Sequence, residues 1–247
     1  MSANLLLNEL TEAERERLSA FLEPVDLAAE QVLIEPEVPI SDVMFIDTAV
    51  ACTTQVMSDG ASIETGVTGL EGIVGFQLWL GVESTPAKVI VQVPGRARRM
   101  RAEDFRREVI EAASPLNRLI ALYTHAFLSM TSITAACNRL HTVDERLCRW
   151  LKMTHTRVGR DEFYLRQRFI AQMLGVHRPT VSNAAHELQK AGIIKYSRGH
   201  LRILDPERLA AGSCECRDLI AAQMDKIFFR SWRELASEAE AVRPAAG

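Results

Sequence analysis

Apolar and polar positions alternate over short stretches between residues 31 and 100, which is the pattern of β-strands. Turn signals such as Asp59-Gly60 and Pro94-Gly95 separate these stretches. Many short strands at close spacing predict a β-roll or jelly roll. The strands predicted from the alternation cover residues 32–34, 43–46, 50–57, 62–67, 88–93 and 97–100.

Helical periodicity replaces the alternation after Ser114-Pro115, an N-cap residue followed by proline. Neither Gly nor Pro interrupts the chain from there to about Arg139. Apolar positions that alternate by four and three are typical of a coiled-coil seam, so the pattern predicts a dimerisation helix over residues 114–140. The predicted dimer seam is Leu116, Ile120, Tyr123, Phe127, Met130 and Cys137. A second apolar stripe of Leu119, Leu122 and Ile133 would let the same helix pack on its own domain.

The starts of three further helices can be predicted from their first residues. The capping-box sequences Thr11 to Glu14 and Thr142 to Glu145 each predict the start of a helix, as does Asp205-Pro206. Residues 217–236 have apolar positions at mostly helical spacing and predict a C-terminal helix packed on the body of the protein. Its apolar positions are Leu219, Ile220, Met224, Ile227, Phe228, Trp232 and Leu235.

Residues 167–188 read as two short helices joined by a tight turn at Gly175. The second helix has one apolar side and one side of hydrogen-bonding residues suited to base edges and phosphates in a major groove. A strand, a basic turn and a second strand follow up to Ile203, which predicts a wing on the DNA backbone. A generic helical hairpin is the alternative, because helix-turn-helix patterns have many false positives.

The charge is distributed unevenly along the chain, with an acidic N-terminal segment and a basic segment further on. The 247 residues carry a net charge of −3, but residues 1–95 have 15 Asp/Glu against 3 Lys/Arg, while residues 163–203 have 7 Lys/Arg and 1 acid. DNA would repel the first segment and attract the second. The composition, 47% hydrophobic and 25% charged, is ordinary for a globular protein of two domains. No secretory signal and no apolar run long enough for a bilayer were recognised, so we expect a cytoplasmic protein without membrane contact.

The order of roll, long helix and winged helix resembles the cyclic-AMP receptor protein/Fnr (Crp/Fnr) family of bacterial transcription regulators over about residues 5–205. The most specific match is Leu174 to Ser182. The resemblance implies an α+β fold with a cyclic-nucleotide-binding-like β-roll (1–113), a dimerisation helix (114–140), a winged helix-turn-helix domain (141–211) and a C-terminal extension (212–247). It also implies a homodimer on a palindromic DNA site, with RNA polymerase as a further partner.

Taken together, the polar helix face, the wing and the resemblance give a set of expected DNA contacts. These are Arg168, His177, Arg178, Thr180, Ser182, Asn183, His186, Arg198 and His200. Pro179 stands where the family commonly has Glu, and Asn183 where Arg is usual. We therefore expect a sequence preference that differs from that of the best-known members.

The effector region departs from the family pattern. Gly75-Phe76-Gln77 and Ser84-Thr85-Pro86 replace the segments that bind the ribose and phosphate, and no Arg lies between Arg17 and Arg96. Because a buried phosphate needs a cation, the sequence predicts no response to cyclic AMP. The effector remains open, and the candidate pocket residues are Glu71, Phe76, Trp79, Ser84 and Thr85.

Cofactor and enzyme chemistry find little support in the sequence. Only Cys52 precedes Cys137, so an iron–sulfur site of the Fnr type lacks ligands, and Cys214-x-Cys216 has no third ligand nearby in sequence. We therefore predict no metal and no cofactor. Neither a nucleophile elbow nor a phosphate-binding Gly loop occurs, so an enzyme is not expected. The alternative function is a cyclic-nucleotide-type binding module that acts through protein partners.

Overall fold

Two antiparallel sheets form the N-terminal roll. In the computed structural model, which describes residues 2–228, one sheet contains β1 (Glu23–Leu27), β8 (Gly95–Arg101), β3 (Asp42–Ile46) and β6 (Ile73–Val74), in that spatial order. The other contains β2 (Val32–Ile34), β7 (Lys88–Val93), β4 (Val50–Val56) and β5 (Ser62–Thr68). The predicted mixed fold with a β-roll is thus confirmed.

All predicted strands are present, with ends shifted by at most two residues. Strands β1 and β6 were not predicted. Strand β1 contains Glu23, Pro24 and Asp26 and is largely exposed at the edge of its sheet, so it has no apolar alternation to detect. Strand β6 has two residues, which is too short for any periodicity.

Short helices close the ends of the roll. They are α1 (Leu5–Asn8), α2 (Glu12–Ser19), a 3-10 turn at Phe76–Leu80 and α3 (Ala102–Phe105), which continues as a π-helical turn over Arg106–Glu111. As predicted, the Thr11 hydroxyl caps α2 by accepting a hydrogen bond from the Glu14 amide. The Asn4 side chain caps α1 and also donates to the carbonyls of Ile46 and Gly72, which fixes the N-terminus on the roll.

The long helix α4 (Leu116–Leu140) turns its predicted seam inward, so the seam assignment was wrong. Leu116, Ile120, Tyr123 and Cys137 are 0% exposed, and Phe127 and Met130 are also buried within the protomer. Gly66 and Gly72 leave room for the Phe127 and Tyr123 rings where a side chain would collide with them. The heptad-like spacing therefore marks the side of α4 that packs on its own roll.

Helix α5 (Val143–Val158) begins with the predicted capping box, in which Thr142 and Glu145 satisfy each other's backbone amides. Its inner side is joined to the roll by buried polar contacts. Arg157 Nε donates to Glu71 Oε1 at 2.8 Å with both side chains 0% exposed, and Trp150 Nε1 donates to Glu64 Oε2 at 2.9 Å. Helix α5 is therefore fixed to the sheet that carries β4 and β5.

The C-terminal part is a winged helix followed by two helices. Strand β9 (Glu162–Tyr164), α6 (Gln167–Leu174), α7 (Arg178–Lys190), β10 (Ile194–Ser197) and β11 (His200–Ile203) precede α8 (Pro206–Ala211), which Asp205 caps as predicted. The three strands form one sheet in the order β10-β11-β9. One apolar core joins this unit to the roll through Val50, Cys52, Val67, Ile90 and Val93.

The described part of the C-terminal extension is helix α9 (Cys216–Phe228), which packs along α4. Its buried side chains include Ile220, Met224, Ile227 and Phe228. The predicted tail residues Trp232 and Leu235 lie outside the described residues.

Within residues 2–228, α4 is the one helix long and apolar enough by length and composition to cross a membrane. The expectation that no such run exists was therefore wrong. The apolar character of α4 has a simpler origin here, because its buried side chains belong to the main core of the roll.

Candidate nucleic-acid interface

Helices α6 and α7 form the predicted helix-turn-helix. Gly175 ends α6 with φ +62°, a left-handed conformation that favours glycine, and His177 precedes α7 with Pro179 in the first turn. Helix α6 buries Phe169, Ile170, Met173 and Leu174, and α7 buries Val181, Ala184 and Ala185. The apolar sides of both helices are thus buried in the core, and the polar side of α7 faces solvent.

The outward side of α7 carries most of the predicted base-reading residues. The predicted contacts His177, Arg178, Thr180, Asn183 and His186 are exposed, as are Pro179, Glu187 and Lys190. Ser182 is only partly exposed, and its hydroxyl donates to the Arg178 carbonyl and to Gln167 Oε1, each at 3.1 Å. The structure therefore gives Ser182 a role inside the helix-turn-helix, whereas its neighbours are free to meet a ligand.

The wing turn consists of Arg198 and Gly199, which connect β10 and β11 as a two-residue hairpin. Both have positive φ, +50° and +88°, as a type I′ turn requires. The Arg198 side chain is exposed at the tip, and the His200 ring lies against the Tyr164 ring with centroids 5.3 Å apart. The turn geometry thus presents a cation at the end of the wing.

A concave basic surface of about 520 Å³ lies between the wing and the start of α7. Four arginines, two tyrosines, a glutamine and a glycine line it: Arg166, Arg168, Arg178, Arg198, Tyr164, Tyr196, Gln167 and Gly199. Arginine guanidinium groups and tyrosine hydroxyls are suited to phosphate oxygens. The predicted wing and reading-helix residues are therefore parts of one surface.

Sequence reasoning missed several members of this surface. Arg166, Gln167, Tyr164 and Tyr196 were not predicted as DNA contacts. A signal existed for Arg166, because it belongs to the local excess of positive charge. The tyrosines gave no signal, since the pairing of β9 with β11 places Tyr164 and the pairing of β10 with β11 places Tyr196.

Arg168, expected near phosphates, is bound to the roll in this structure. Its Nη2 donates to both carboxylate oxygens of Glu30, at 2.9 and 3.2 Å, and Arg166 Nη1 lies 3.3 Å from the same carboxylate. Glu30 sits in the turn between β1 and β2 with φ +64°, a conformation that non-glycine residues rarely adopt. A carboxylate of the roll thus occupies two cations of the basic surface.

The comparisons with known proteins bear on this unit first. Residues 145–211 match the family model described as a Crp-like helix-turn-helix domain. The DNA-binding unit is thus similar to the Crp-like helix-turn-helix domain, and the whole chain has the fold of Crp/Fnr-type proteins. No curated protein matches the sequence significantly.

Solved structures of Crp/Fnr-type proteins share the fold at low sequence identity. FixK2 from Bradyrhizobium japonicum is 16% identical with a TM-score of 0.65, over 78% of this chain and 98% of that one. The c-di-GMP responsive regulator CLP from Xanthomonas campestris is 13% identical with a TM-score of 0.63, over 78% and 99%. A Crp/Fnr transcriptional regulator from Eubacterium rectale is 18% identical with a TM-score of 0.59, over 84% and 97%.

Most of the predicted effector residues have contacts within the protomer. Glu71 is held by Arg157, and Phe76 packs against Phe127 and Tyr123 with ring centroids 5.0 and 5.8 Å apart. Two aromatic rings of α4 therefore fill the space in front of Phe76.

Two of the remaining three pocket residues have structural partners of their own. Trp79 Nε1 donates to Asn117 Oδ1 at 3.0 Å, and the Thr85 carbonyl accepts from the Glu37 amide at 2.9 Å. Ser84, next to Thr85, is half-buried. Lys88, the one basic residue between Arg17 and Arg96, forms a surface ion pair with Glu35 at 3.3 Å.

A second group of side chains comes together where the sequence predicted nothing. Cys137 and His141, at the end of α4, meet Cys214 and Cys216, at the start of α9. The sequence separation hid this meeting, although Cys137 and His141 at positions i and i+4 face the same side of a helix. The sequence argument that Cys214-x-Cys216 has no third ligand thus does not hold in the fold.

Proposed function

We propose that this protein is a Crp/Fnr-type regulator that binds an inverted-repeat DNA site as a homodimer, with α7 in the major groove and the wing on the backbone. The observation that carries the proposal is the basic surface lined by Arg166, Arg168, Arg178 and Arg198. It joins the exposed polar side of α7 to the wing tip, so that base-reading and phosphate-binding groups are adjacent.

The homodimer is proposed through the outer side of α4, in place of the inward-facing seam. Leu128 is 58% exposed and Leu140 74% exposed, and the helix also presents His125, Ser132, Ala135 and Ala136 to solvent. Exposed leucines on a 25-residue helix whose outer side also carries small side chains, beside the exposed Arg118 and Arg139, suit packing against a second copy. One α7 per protomer, about 34 Å apart, would then meet successive major grooves.

Insensitivity to cyclic AMP is the second part of the proposal. The ligand's phosphate needs a cation inside the roll. The region in front of Phe76 holds aromatic rings, Arg157 is engaged with Glu71, and Lys88 points to Glu35 on the surface. We further propose that the protein acts in the cytoplasm, contacts RNA polymerase and has no enzymatic activity.

The test of DNA binding uses the full chain and a library of random duplexes. Selection should return an inverted repeat, and the logarithm of the binding constant for that site should fall linearly with the logarithm of salt concentration. Lys226→Ala is the control, because it removes one exposed charge of α9 and should leave affinity unchanged. Failure to enrich any duplex would favour the alternative, a binding module that acts through protein partners.

A further inference from the structure

Four side chains with metal-ligand chemistry converge at the junction of α4, α5 and α9. The thiols of Cys137, Cys214 and Cys216 and the imidazole of His141 each offer one atom, and these atoms all lie within 4.8 Å of one another. Cys137 Sγ is 3.5 Å from Cys214 Sγ, and Cys216 Sγ is 3.6 Å from His141 Nδ1. The three cysteines are at most 5% exposed.

We propose that these residues bind one Zn²⁺ ion through three thiolates and the Nδ1 atom of His141. Three sulfurs and one imidazole nitrogen form a common ligand set of structural zinc sites. With zinc–sulfur bonds of about 2.3 Å, sulfurs at two corners of a tetrahedron lie about 3.8 Å apart. The observed 3.5 and 3.6 Å separations are close to that edge.

The same distances argue against an iron–sulfur cluster. Cysteine sulfurs that bind different irons of a cluster are held further apart than sulfurs on a single ion, because the cluster itself lies between them. All four ligand atoms here fit within 4.8 Å. The space between the four ligand atoms therefore suits a single metal ion.

The outer contact of His141 supports a metal on Nδ1. His141 Nε2 lies 3.0 Å from Glu215 Oε2. Metal-binding histidines almost always donate their second ring N–H to a carboxylate, a carbonyl or water, which fixes the tautomer. With its proton on Nε2 directed to Glu215, the imidazole turns the lone pair of Nδ1 toward the three thiols.

The buried charge near the cluster gives independent support. Arg149 is 4% exposed, its Nε has no hydrogen-bond partner, its Nη1 donates to Met153 Sδ at 3.5 Å, and its charge also acts on the buried Glu64 carboxyl. A buried cation is costly unless negative charge balances it. Cys137 lies within the electrostatic reach of Arg149. Three thiolates and one divalent cation carry a net negative charge, which would balance the arginine.

The position of the site indicates what the ion would do. Cys137 lies in the last turn of α4, and His141 is one of the two residues between α4 and α5. Cys214 and Cys216 begin the segment that returns along α4 as α9. An ion bound here would tie α9 to the junction between the roll and the DNA-binding unit.

The experiment measures zinc in the full chain, purified under reducing conditions without a histidine tag. Mass spectrometry for metals should find one zinc per chain, and exchange with Co²⁺ should give the visible absorption of a tetrahedral thiolate site. Cys214→Ser and Cys216→Ser should each lower metal content at least about tenfold. Cys148→Ser, a buried thiol on α5 outside the cluster, is the matched control and should keep its metal.

A variant that leaves all four ligands intact guards against misfolding as an explanation. Glu215→Gln changes an exposed side chain and should weaken zinc affinity about tenfold in competition with a chromophoric chelator, with an unchanged circular dichroism spectrum. Three results would overturn the proposal: reduced protein that stays metal-free after dialysis against Zn²⁺, the absorption spectrum of an iron–sulfur cluster, or equal metal loss in Cys148→Ser.

Discussion

At the scale of single residues, the basic surface separates side chains that read sequence from those that hold the backbone. Arg178 and Asn183 lie on the exposed side of α7, whereas Arg198 lies at the wing tip. This division follows from the elements that carry the residues. A major groove admits an α-helix, so α7 can bring its side chains to the base edges, whereas the wing lies on the phosphate backbone in the proposed complex.

The first prediction tests this division by alanine substitution. Arg178→Ala and Asn183→Ala should each cost about 1–3 kcal/mol at the preferred site and relax base preference. Arg198→Ala should weaken binding to every duplex by a similar factor, because phosphate contacts carry no sequence information. Binding to single-base variants of the selected site measures both effects. A change of base preference in Arg198→Ala but not in Arg178→Ala would refute the placement of α7.

The second prediction concerns Glu64, which lies buried between β5 and α5. Burial raises the pKa of Glu64 to about 7, although the hydrogen bond from Trp150 and the charges of Arg149 and Arg157 lower it. The folded protein therefore keeps a proton that the unfolded chain, with a pKa of 4.5, releases. Stability from this group is complete below pH 4.5 and declines as the pH rises toward about 7.

Glu64→Gln removes that titration while an amide oxygen still accepts from Trp150. The variant should be more stable than the natural protein at about pH 8, by an amount on the order of 3 kcal/mol, and nearly equal to it at about pH 5. Urea unfolding at both pH values is the measurement. Glu12→Gln, an exposed control, should shift neither curve. A difference that does not depend on pH would contradict the titration of Glu64.

Residue partners could be predicted from the sequence only when they are close along the chain. The Thr142–Glu145 capping box and the Asp205 cap follow from local spacing. Arg168 finds Glu30 across 138 residues, and Cys137 finds Cys214 across 77, so neither contact has a local signal. The sequence pattern indicated which residues could contact DNA. The hydrogen bonds and ion pairs that these residues form within the protomer could be found only from the fold.

At the scale of elements, hydrophobic periodicity predicted most strands and helices but not the neighbours that they pack against. Helix α4 shows this most clearly. Its apolar positions at four-and-three spacing are satisfied by the roll and by α9, because a heptad-like stripe says only that one side of a helix is buried. The identity of the burying surface depends on tertiary contacts.

The third prediction follows from the contact between the roll and α6. Glu30 holds Arg166 and Arg168, and Gln172 Nε2 donates to Ser62 Oγ on β5 at 2.6 Å. DNA phosphates would have to displace the carboxylate. Glu30→Gln should therefore raise DNA affinity by up to about fivefold, since an exposed ion pair contributes at most about 1 kcal/mol.

Fluorescence anisotropy with a labelled operator measures this gain. Glu35→Gln is the matched control, because it removes a surface carboxylate of the same roll that pairs with Lys88 and not with the arginines of the basic surface among residues 2–228. A similar increase in both variants would mean that the overall negative charge of the roll is responsible. Weaker binding of Glu30→Gln would show that the contact supports the DNA-bound arrangement.

At the scale of the whole molecule, the fourth prediction concerns self-association. Leu128→Asp places a charge on the outer side of α4 and should convert the proposed homodimer into a monomer in sedimentation at micromolar concentration. Affinity for the full inverted repeat should fall with it, because two α7 helices no longer bind together. Leu80→Asp changes a leucine of the roll that is 50% exposed, close to the 58% of Leu128, and this variant should remain dimeric. A natural protein that is itself monomeric would exclude this surface.

The fifth prediction is that cyclic AMP neither binds nor changes DNA affinity. A buried phosphate without its cation loses about 3–5 kcal/mol, which is two to four powers of ten in affinity. Isothermal titration with cyclic AMP and cyclic GMP, paired with DNA binding in their presence, is the measurement. Affinity of tens of micromolar or better would show that Lys88 or a second subunit supplies the cation.

The Glu30 contact has a consequence for how salt titrations of this regulator are to be interpreted. When DNA binds, counterions leave the phosphates, but a protein ion pair also opens and the freed carboxylate gathers cations of its own. The DNA releases cations and the carboxylate takes cations up, so the two effects on the salt dependence partly cancel. The salt slope of the natural protein therefore underestimates the number of its phosphate contacts. The slope of Glu30→Gln should be steeper and should give that number more accurately.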